Sequence, residues 1–127
     1  MKKNSKKRES KDYLLDIFDS TERIEKFVVN FNFKKFSEDE KTIYASIMTF
    51  GIIGEASKNI PASIKSKHKE IPWKKMAGMR DKLIHEYFGI NKEVLWKTIK
   101  EDVPELKKKM LELIKELDIS RKTNKLV

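Results

Sequence analysis

One arginine in this sequence occupies a helix position where an apolar residue is expected. Apolar residues in the segment 73–87 recur with the 3.6-residue period of an α-helix, and Arg80 falls within their stripe. Residues 12–119 contain only two arginines among many lysines, which indicates that this position requires a guanidinium. Its planar set of five donors suits a phosphate or a carboxylate. Arg80 is therefore a candidate phosphate-binding residue, and the alternative is a structural ion pair with Asp16 or Asp19.

A group capable of acid–base chemistry is predicted on the same helix. On an ideal helix His85, Asp81 and Gly78 share one face, with the histidine one turn beyond the aspartate. A carboxylate at this spacing can accept a hydrogen bond from one imidazole nitrogen and leave the other nitrogen to exchange a proton with a substrate. We expect His85 to be an acid–base residue oriented by Asp81. The alternative is a histidine that caps the helix or lies on the surface.

The sequence around these residues resembles the signature of the HepT family within the HEPN superfamily, in which arginine, four residues, histidine, any residue and tyrosine follow one another. The resemblance is carried by Ile71-Pro72-Trp73, Met76, Gly78-Met79-Arg80-Asp81, Leu83-Ile84-His85-Glu86-Tyr87-Phe88-Gly89-Ile90, and upstream by Ile53-Gly54-Glu55-Ala56 and Ile60-Pro61. It extends over most of the chain, from about Asp12 to Leu117. Many relatives have asparagine after the arginine, and Asp81 departs from that pattern by making the local charge more negative.

The resemblance implies a metal-independent endoribonuclease that uses no cofactor and acts as a homodimer, with the motifs of both subunits facing one cleft. In this scheme Arg80 holds the phosphate and His85 acts as acid or base, because RNA brings its own nucleophile, the 2′-hydroxyl. The resemblance further implies a toxin whose partner is an MNT-type nucleotidyltransferase antitoxin, which neutralises it by AMPylation of Tyr87.

Two other functions remain open at this point. The first is a non-catalytic HEPN subunit that binds nucleotide or substrate for a nucleotidyltransferase, with Arg80 holding phosphate only. The second is a basic helical protein that binds nucleic acid through its tails. The formal net charge is +9, of which residues 1–11 carry +5 and residues 120–127 carry +3. The body of the chain is nearly neutral, which disfavours the second function.

Helical periodicity extends over almost the whole sequence, and no segment alternates with the period of a strand. We therefore predict an all-α fold, a four- to five-helix up-and-down bundle of the HEPN type. The helices are expected at about Asp12–Asn30, from a Ser37/Glu40 capping box to Asn59, a short turn at Ala62–Lys67, Pro72–Glu86, Asn91–Glu101, and from Asp102, Pro104 and Glu105 to Leu117.

The second of these helices is apolar around nearly its whole circumference, which predicts burial on more than one side. In so small a protein the simplest source of a second covering surface is another copy of the chain, so the pattern predicts a homodimer. Gly51 and Gly54 in its interior are explained by the close backbone approach of another helix.

Length and composition exclude several other classes of protein. A chain of 127 residues is expected to form one domain, here residues 12–119, between basic tails at 1–11 and 120–127. Without cysteine, and with only His68 and His85, thiolate or histidine-rich metal chemistry is not expected. No apolar stretch is long enough to span a bilayer and no secretion signal is recognisable, so we predict a cytoplasmic protein.

Overall fold

The computed structural model describes residues 7–85 and 91–117, with the side chains of residues 80 and 83–85 outside the described part. These residues form helices joined by turns and contain no strand, which confirms the all-α prediction. The helices are α1 (Ser10–Phe27), α2 (Phe33–Glu38), α3 (Glu40–Lys58), α4 (Ala62–Lys65), α5 (Trp73–His85), α6 (Lys92–Lys97) and α7 (Val103–Glu116), with a π-helical segment (Thr98–Asp102) between the last two.

Four long helical segments form the bundle: α1, α3, α5, and the uninterrupted run from α6 to α7. Helix α3 packs against both α1 and α5, and α1 packs against α7. Their buried side chains form one core, whose fully enclosed members include Leu14, Ile17, Ile24, Phe36, Phe50, Ile71, Leu95, Ile99, Val103, Met110 and Leu113. At its edge Lys107 donates a hydrogen bond of 2.6 Å to Glu25, which joins α7 to α1 and raises the pKa of Lys107.

The sequence-based start of α3 was wrong. Ser37 does not cap this helix but lies inside the short helix α2, where its hydroxyl donates to the carbonyl of Lys34. Two other side chains set the boundaries. Asn32 accepts from the backbone N–H of Lys35 to begin α2, and Asp39 accepts from that of Thr42 to begin α3. The extra helix α2 is fixed to the bundle by Phe36, which is buried.

Helix α1 begins and ends earlier than expected. It begins at Ser10, so the last two residues of the predicted tail 1–11 belong to a helix. Arg8, just before it, forms an ion pair of 2.8 Å with Asp16. At the other end the helix stops at Phe27, and Asn30 adopts a left-handed backbone conformation with φ 64°, which turns the chain toward α2. The division into a body and two tails otherwise stays a prediction.

Helix α7 begins at Val103, in agreement with the predicted start of the last helix at Asp102 and Pro104. The predicted cap does not form: the side chain of Asp102 makes no capping hydrogen bond, and its backbone is helical, so α6 continues through the π segment into α7. Pro104 explains why the helical register changes here. It has no N–H to donate to the carbonyl of Lys100, four residues earlier, and that carbonyl lies in the π segment.

The predicted close approach at Gly54 is confirmed. A Cβ atom built on Gly54 would lie 3.2 Å from the carbonyl oxygen of Met76 and 3.3 Å from that of Ala77. Both are backbone atoms of α5, so they cannot move aside as a flexible side chain would. Only glycine lets α3 and α5 pack this closely, and the contact holds the first half of α5 in place.

Substitutions at two glycines should therefore change stability in opposite directions. Gly54→Val is expected to lower the free energy of unfolding by about 1–3 kcal/mol, because the added atoms force the two backbones apart. Gly78→Ala is expected to raise it by about 0.5–1 kcal/mol, because a Cβ there would meet no atom within 4 Å and alanine favours the helix. Denaturant unfolding of both variants measures the difference. Equal stabilities would contradict the close packing.

One side of α3 remains uncovered in the single chain. Tyr44, Met48 and Ile52 follow one another at four-residue spacing and are exposed to 47%, 72% and 41%. We call these three residues the α3 stripe. The opposite side of the helix is buried, and there Ser46, Thr49 and Ser57 satisfy their hydroxyls on backbone carbonyls of α3 itself, at residues 42, 45 and 54.

The loop before α5 is anchored on α7. His68 is buried, with Nδ1 3.5 Å from a carboxylate oxygen of Glu70 and Nε2 3.4 Å from one of Glu116. Its carbonyl accepts a hydrogen bond of 3.0 Å from the indole N–H of Trp73, the first residue of α5. Of the two histidines of the chain, His68 therefore has a structural explanation.

Candidate active site

Helix α5 carries most of the predicted site. Arg80, Asp81 and His85 all belong to it, with His85 as its last residue. The side chain of Asp81 is exposed. The side chains of Arg80 and His85 lie outside the described part, and so does the whole of Tyr87. The role of Asp81 in orienting His85 therefore stays a prediction.

One of the two acidic residues considered as partners of Arg80 forms an ion pair with another arginine. The carboxylate of Asp16, one of two proposed ion-pair partners of Arg80, receives the guanidinium of Arg8 at 2.8 Å. The ring of Tyr13 lies beneath that same guanidinium, 4.8 Å from the ring centre. Asp16 therefore has a cationic partner in the segment that precedes α1.

A groove runs beside the exposed face of α5. It has a volume of about 420 Å³ and lies between α5 and the segment formed by α6 and the π turn. Its described lining comes from α5, from the start of α6 and from the π segment: Lys74, Lys75, Gly78, Met79, Lys82, Asn91, Val94, Thr98 and Asp102. We call this the α5–π groove. Sequence reasoning singled out Gly78 but missed the lysines, which look like ordinary surface residues in so basic a sequence.

The electrostatic character of the α5–π groove is basic. Three lysines line it, and among the lining residues that the structure describes the only carboxylate belongs to Asp102. That carboxylate lies 3.8 Å from the Nζ atom of Lys75, in an ion pair that is more than half exposed on both sides and therefore weak. Lys74 and Lys82 form none of the ion pairs found among the described residues.

A smaller cavity of about 180 Å³ lies on the other side of Lys75 and Asp102. Phe50, Ile53 and Met76 give it an apolar lining. In the part of the chain that the structure describes, no cluster of three histidine or acidic side chains could hold a metal ion. None of the described helices combines the length and apolar character needed to cross a membrane.

The four long helical segments, with the Arg80 to His85 spacing on α5, define an all-α bundle of the HEPN type. A family model described as "Ribonuclease HepT-like" matches residues 17–113. The chain belongs to the HepT-like ribonuclease family. This confirms the family resemblance and, at the level of the family, the prediction that the protein is a ribonuclease.

Curated relatives agree with this assignment. A protein of Thermococcus cleftensis named "Probable ribonuclease HepT" is 56% identical over 109 residues, which cover 86% of this chain and 99% of the relative. A Caldanaerobacter subterraneus protein named provisionally as an RNase is 43% identical over 102 residues, 80% of this chain and 91% of its own length. A Methanocaldococcus jannaschii protein with the same provisional name is 40% identical over 112 residues, 88% of this chain and 93% of its own length. No solved structure matches significantly.

Proposed function

We propose that this protein is a metal-independent endoribonuclease that cleaves RNA through Arg80 and His85. The observation that carries the proposal is the placement of both residues, five positions apart, on one helix of a HepT-like ribonuclease. His85 moves the proton between the 2′-hydroxyl and the leaving oxygen, and Arg80 balances the charge that develops on the phosphate. The products are a 2′,3′-cyclic phosphate and a 5′-hydroxyl end.

The proposed active site is completed by a second copy of the chain. The α3 stripe supports a homodimer because three large apolar side chains in a row lie exposed on the helix that packs against α5. Pairing through this face would bring the two copies of α5 toward a common cleft. Each subunit then contributes one Arg80 and one His85 to the bound RNA.

A charge on the α3 stripe should separate the subunits. Met48→Glu is expected to weaken self-association by about tenfold or more, because the carboxylate would lose its hydration in the interface. The fold should be unaffected, since Met48 is 72% exposed in the single chain. Val29→Glu is the matched control: Val29 is 64% exposed but follows α1, away from the stripe. Sedimentation equilibrium compares the variants, and equal association of Met48→Glu and wild type would contradict the interface.

We further propose that the protein is the toxin of a toxin–antitoxin pair in the cytoplasm. Its partner is an MNT-type nucleotidyltransferase that transfers AMP to Tyr87. The added phosphate competes with RNA for the Arg80 cation. Arg80 and Tyr87 are seven positions apart in the sequence, which supports this competition.

The function is tested by incubating RNA with the purified chain in the presence of a metal chelator. We expect cleavage with cyclic phosphate ends, and loss of cleavage when the chain is first co-expressed with such a nucleotidyltransferase. Tyr87→Phe should escape this inactivation and show no increase in mass. A chain that binds RNA but never cleaves it would instead support a non-catalytic subunit that holds nucleotide or substrate for the nucleotidyltransferase.

A further inference from the structure

We propose that the α5–π groove binds the phosphodiester backbone of the single-stranded RNA that the protein cleaves, and this inference rests on the proposed function. The first support is charge complementarity. Among the described residues that line the groove, Lys74, Lys75 and Lys82 supply three positive charges and Asp102 supplies the one carboxylate. A concave surface with a net positive charge attracts a polyanion and steers its approach.

The second support is the unobstructed backbone at the centre of the groove. Gly78 lies four residues from Lys74 and four from Lys82, and a Cβ atom placed on it would meet no other atom within 4 Å. Unlike Gly54, it is not required for helix packing. The position leaves space for a strand to approach α5 between the two lysines.

The third support is the length of the lysine row. Lys74 and Lys82 are eight residues apart, which corresponds to about 12 Å along a helix axis. Phosphates repeat about every 3.4 Å along one strand of a duplex, so the row is long enough to contact more than one phosphate. His85 follows Lys82 by three residues, so its backbone position continues the row, and RNA lying along the groove would extend toward the position of His85.

The fourth support is the π segment on the opposite wall. Ile99 and Val103 are buried and fix the register of this segment against the core, while Thr98 and Asp102 line the groove. Single π turns within α-helices occur frequently at functional sites. Here the irregular turn shapes the wall that faces Gly78, and the hydroxyl of Thr98 is held by a 2.8 Å hydrogen bond to the carbonyl of Val94.

The proposal is tested by RNA binding in a His85→Ala background, where the probe is not cleaved. The full chain is titrated into a labelled single-stranded RNA of mixed sequence at several salt concentrations. Lys74→Ala/Lys82→Ala should reduce the slope of log K against log salt by about 1.4, since each lost phosphate contact removes about 0.7. At 0.1 M salt the double-lysine variant should therefore bind this RNA with an affinity about 25-fold lower than that of the His85→Ala protein.

Two further variants make the test specific to the groove. Lys58→Ala/Lys108→Ala removes the same charge from exposed lysines that do not line the groove, and should change the slope far less. Asp102→Asn removes the carboxylate that neutralises Lys75 and should raise affinity about fivefold at 0.1 M salt, equivalent to one additional contact. Circular dichroism establishes that each variant is folded.

The possible outcomes separate this proposal from the proposed function. Equal losses in the two double-lysine variants, or no loss in either, would overturn the groove as the RNA site. The groove would also be excluded as the RNA site if the Lys74/Lys82 variant bound RNA normally but no longer bound the nucleotidyltransferase, because the groove would then dock a protein. Lysine-dependent binding by a wild-type chain that never cleaves RNA would uphold the groove and overturn only the nuclease assignment.

Discussion

Replacing His85 with alanine should slow RNA cleavage by about 10²- to 10⁴-fold, the usual effect of losing a general acid or base. Because His85 is the last residue of α5, the substitution removes the imidazole without interrupting the helix. The measurement is the single-turnover rate at saturating protein, which separates the chemical step from RNA binding. We expect RNA affinity to change much less than the rate.

The chain supplies its own control for this experiment. His68 is its only other histidine, and it is buried between Glu70 and Glu116 in the loop that packs on α7. His68→Gln should lower the free energy of unfolding while leaving the rate per folded molecule close to that of the wild type. A His85→Ala protein that cleaves as fast as the wild type would end the proposed mechanism.

Arg80→Ala is expected to reduce cleavage by about 10²- to 10³-fold, comparable to the loss of one donor from an oxyanion site. Arg80→Lys keeps the charge but loses the planar pair of donors, so it should recover RNA binding more fully than rate. Affinity and single-turnover rate should be measured on both variants. A lysine variant with full rate would show that only charge is needed at this position.

An effect of Arg80 on folding must be distinguished from an effect on chemistry. If the guanidinium served only as a structural ion pair, Arg80→Ala would lower the free energy of unfolding, and activity would fall only with the folded fraction. Denaturant titration of the same samples measures this. A rate per folded molecule equal to that of the wild type would remove Arg80 from the active site.

The helical period predicted the long helices well but not how they begin and join. Ser37 and Glu40 have the spacing of a capping box, yet Asn32 and Asp39 set the boundaries because α2 is held by Phe36 in the core. The positions of these boundaries depend on contacts between residues that are distant in the sequence, so the local sequence pattern could not predict them. Between α6 and α7 the sequence predicted the position of the new helix at Pro104 but not the π turn that joins it to α6 without a break.

The residues of the candidate site also differ in whether the sequence alone could identify them. Arg80 and His85 could be selected from sequence because an arginine in an apolar stripe and a histidine one turn from an aspartate are unusual. Lys74 and Lys82 could not be selected, because in a chain with 29 basic residues each resembles ordinary solvated surface. Only the packing of the π segment beside α5 shows that they share a groove.

The π turn also limits how this protein can vary. It accommodates one residue more than a regular helix would between the side chains of α6 and those of α7. Deleting one residue within Thr98–Asp102 would return the run to regular α-helical geometry and leave the buried faces of α6 and α7 aligned, so Leu95 would stay in the core. Adding or deleting a residue elsewhere in the run, where no extra residue is present, would instead rotate α6 by about 100° relative to α7. This stretch should therefore tolerate the loss of one residue far better than the rest of the run does.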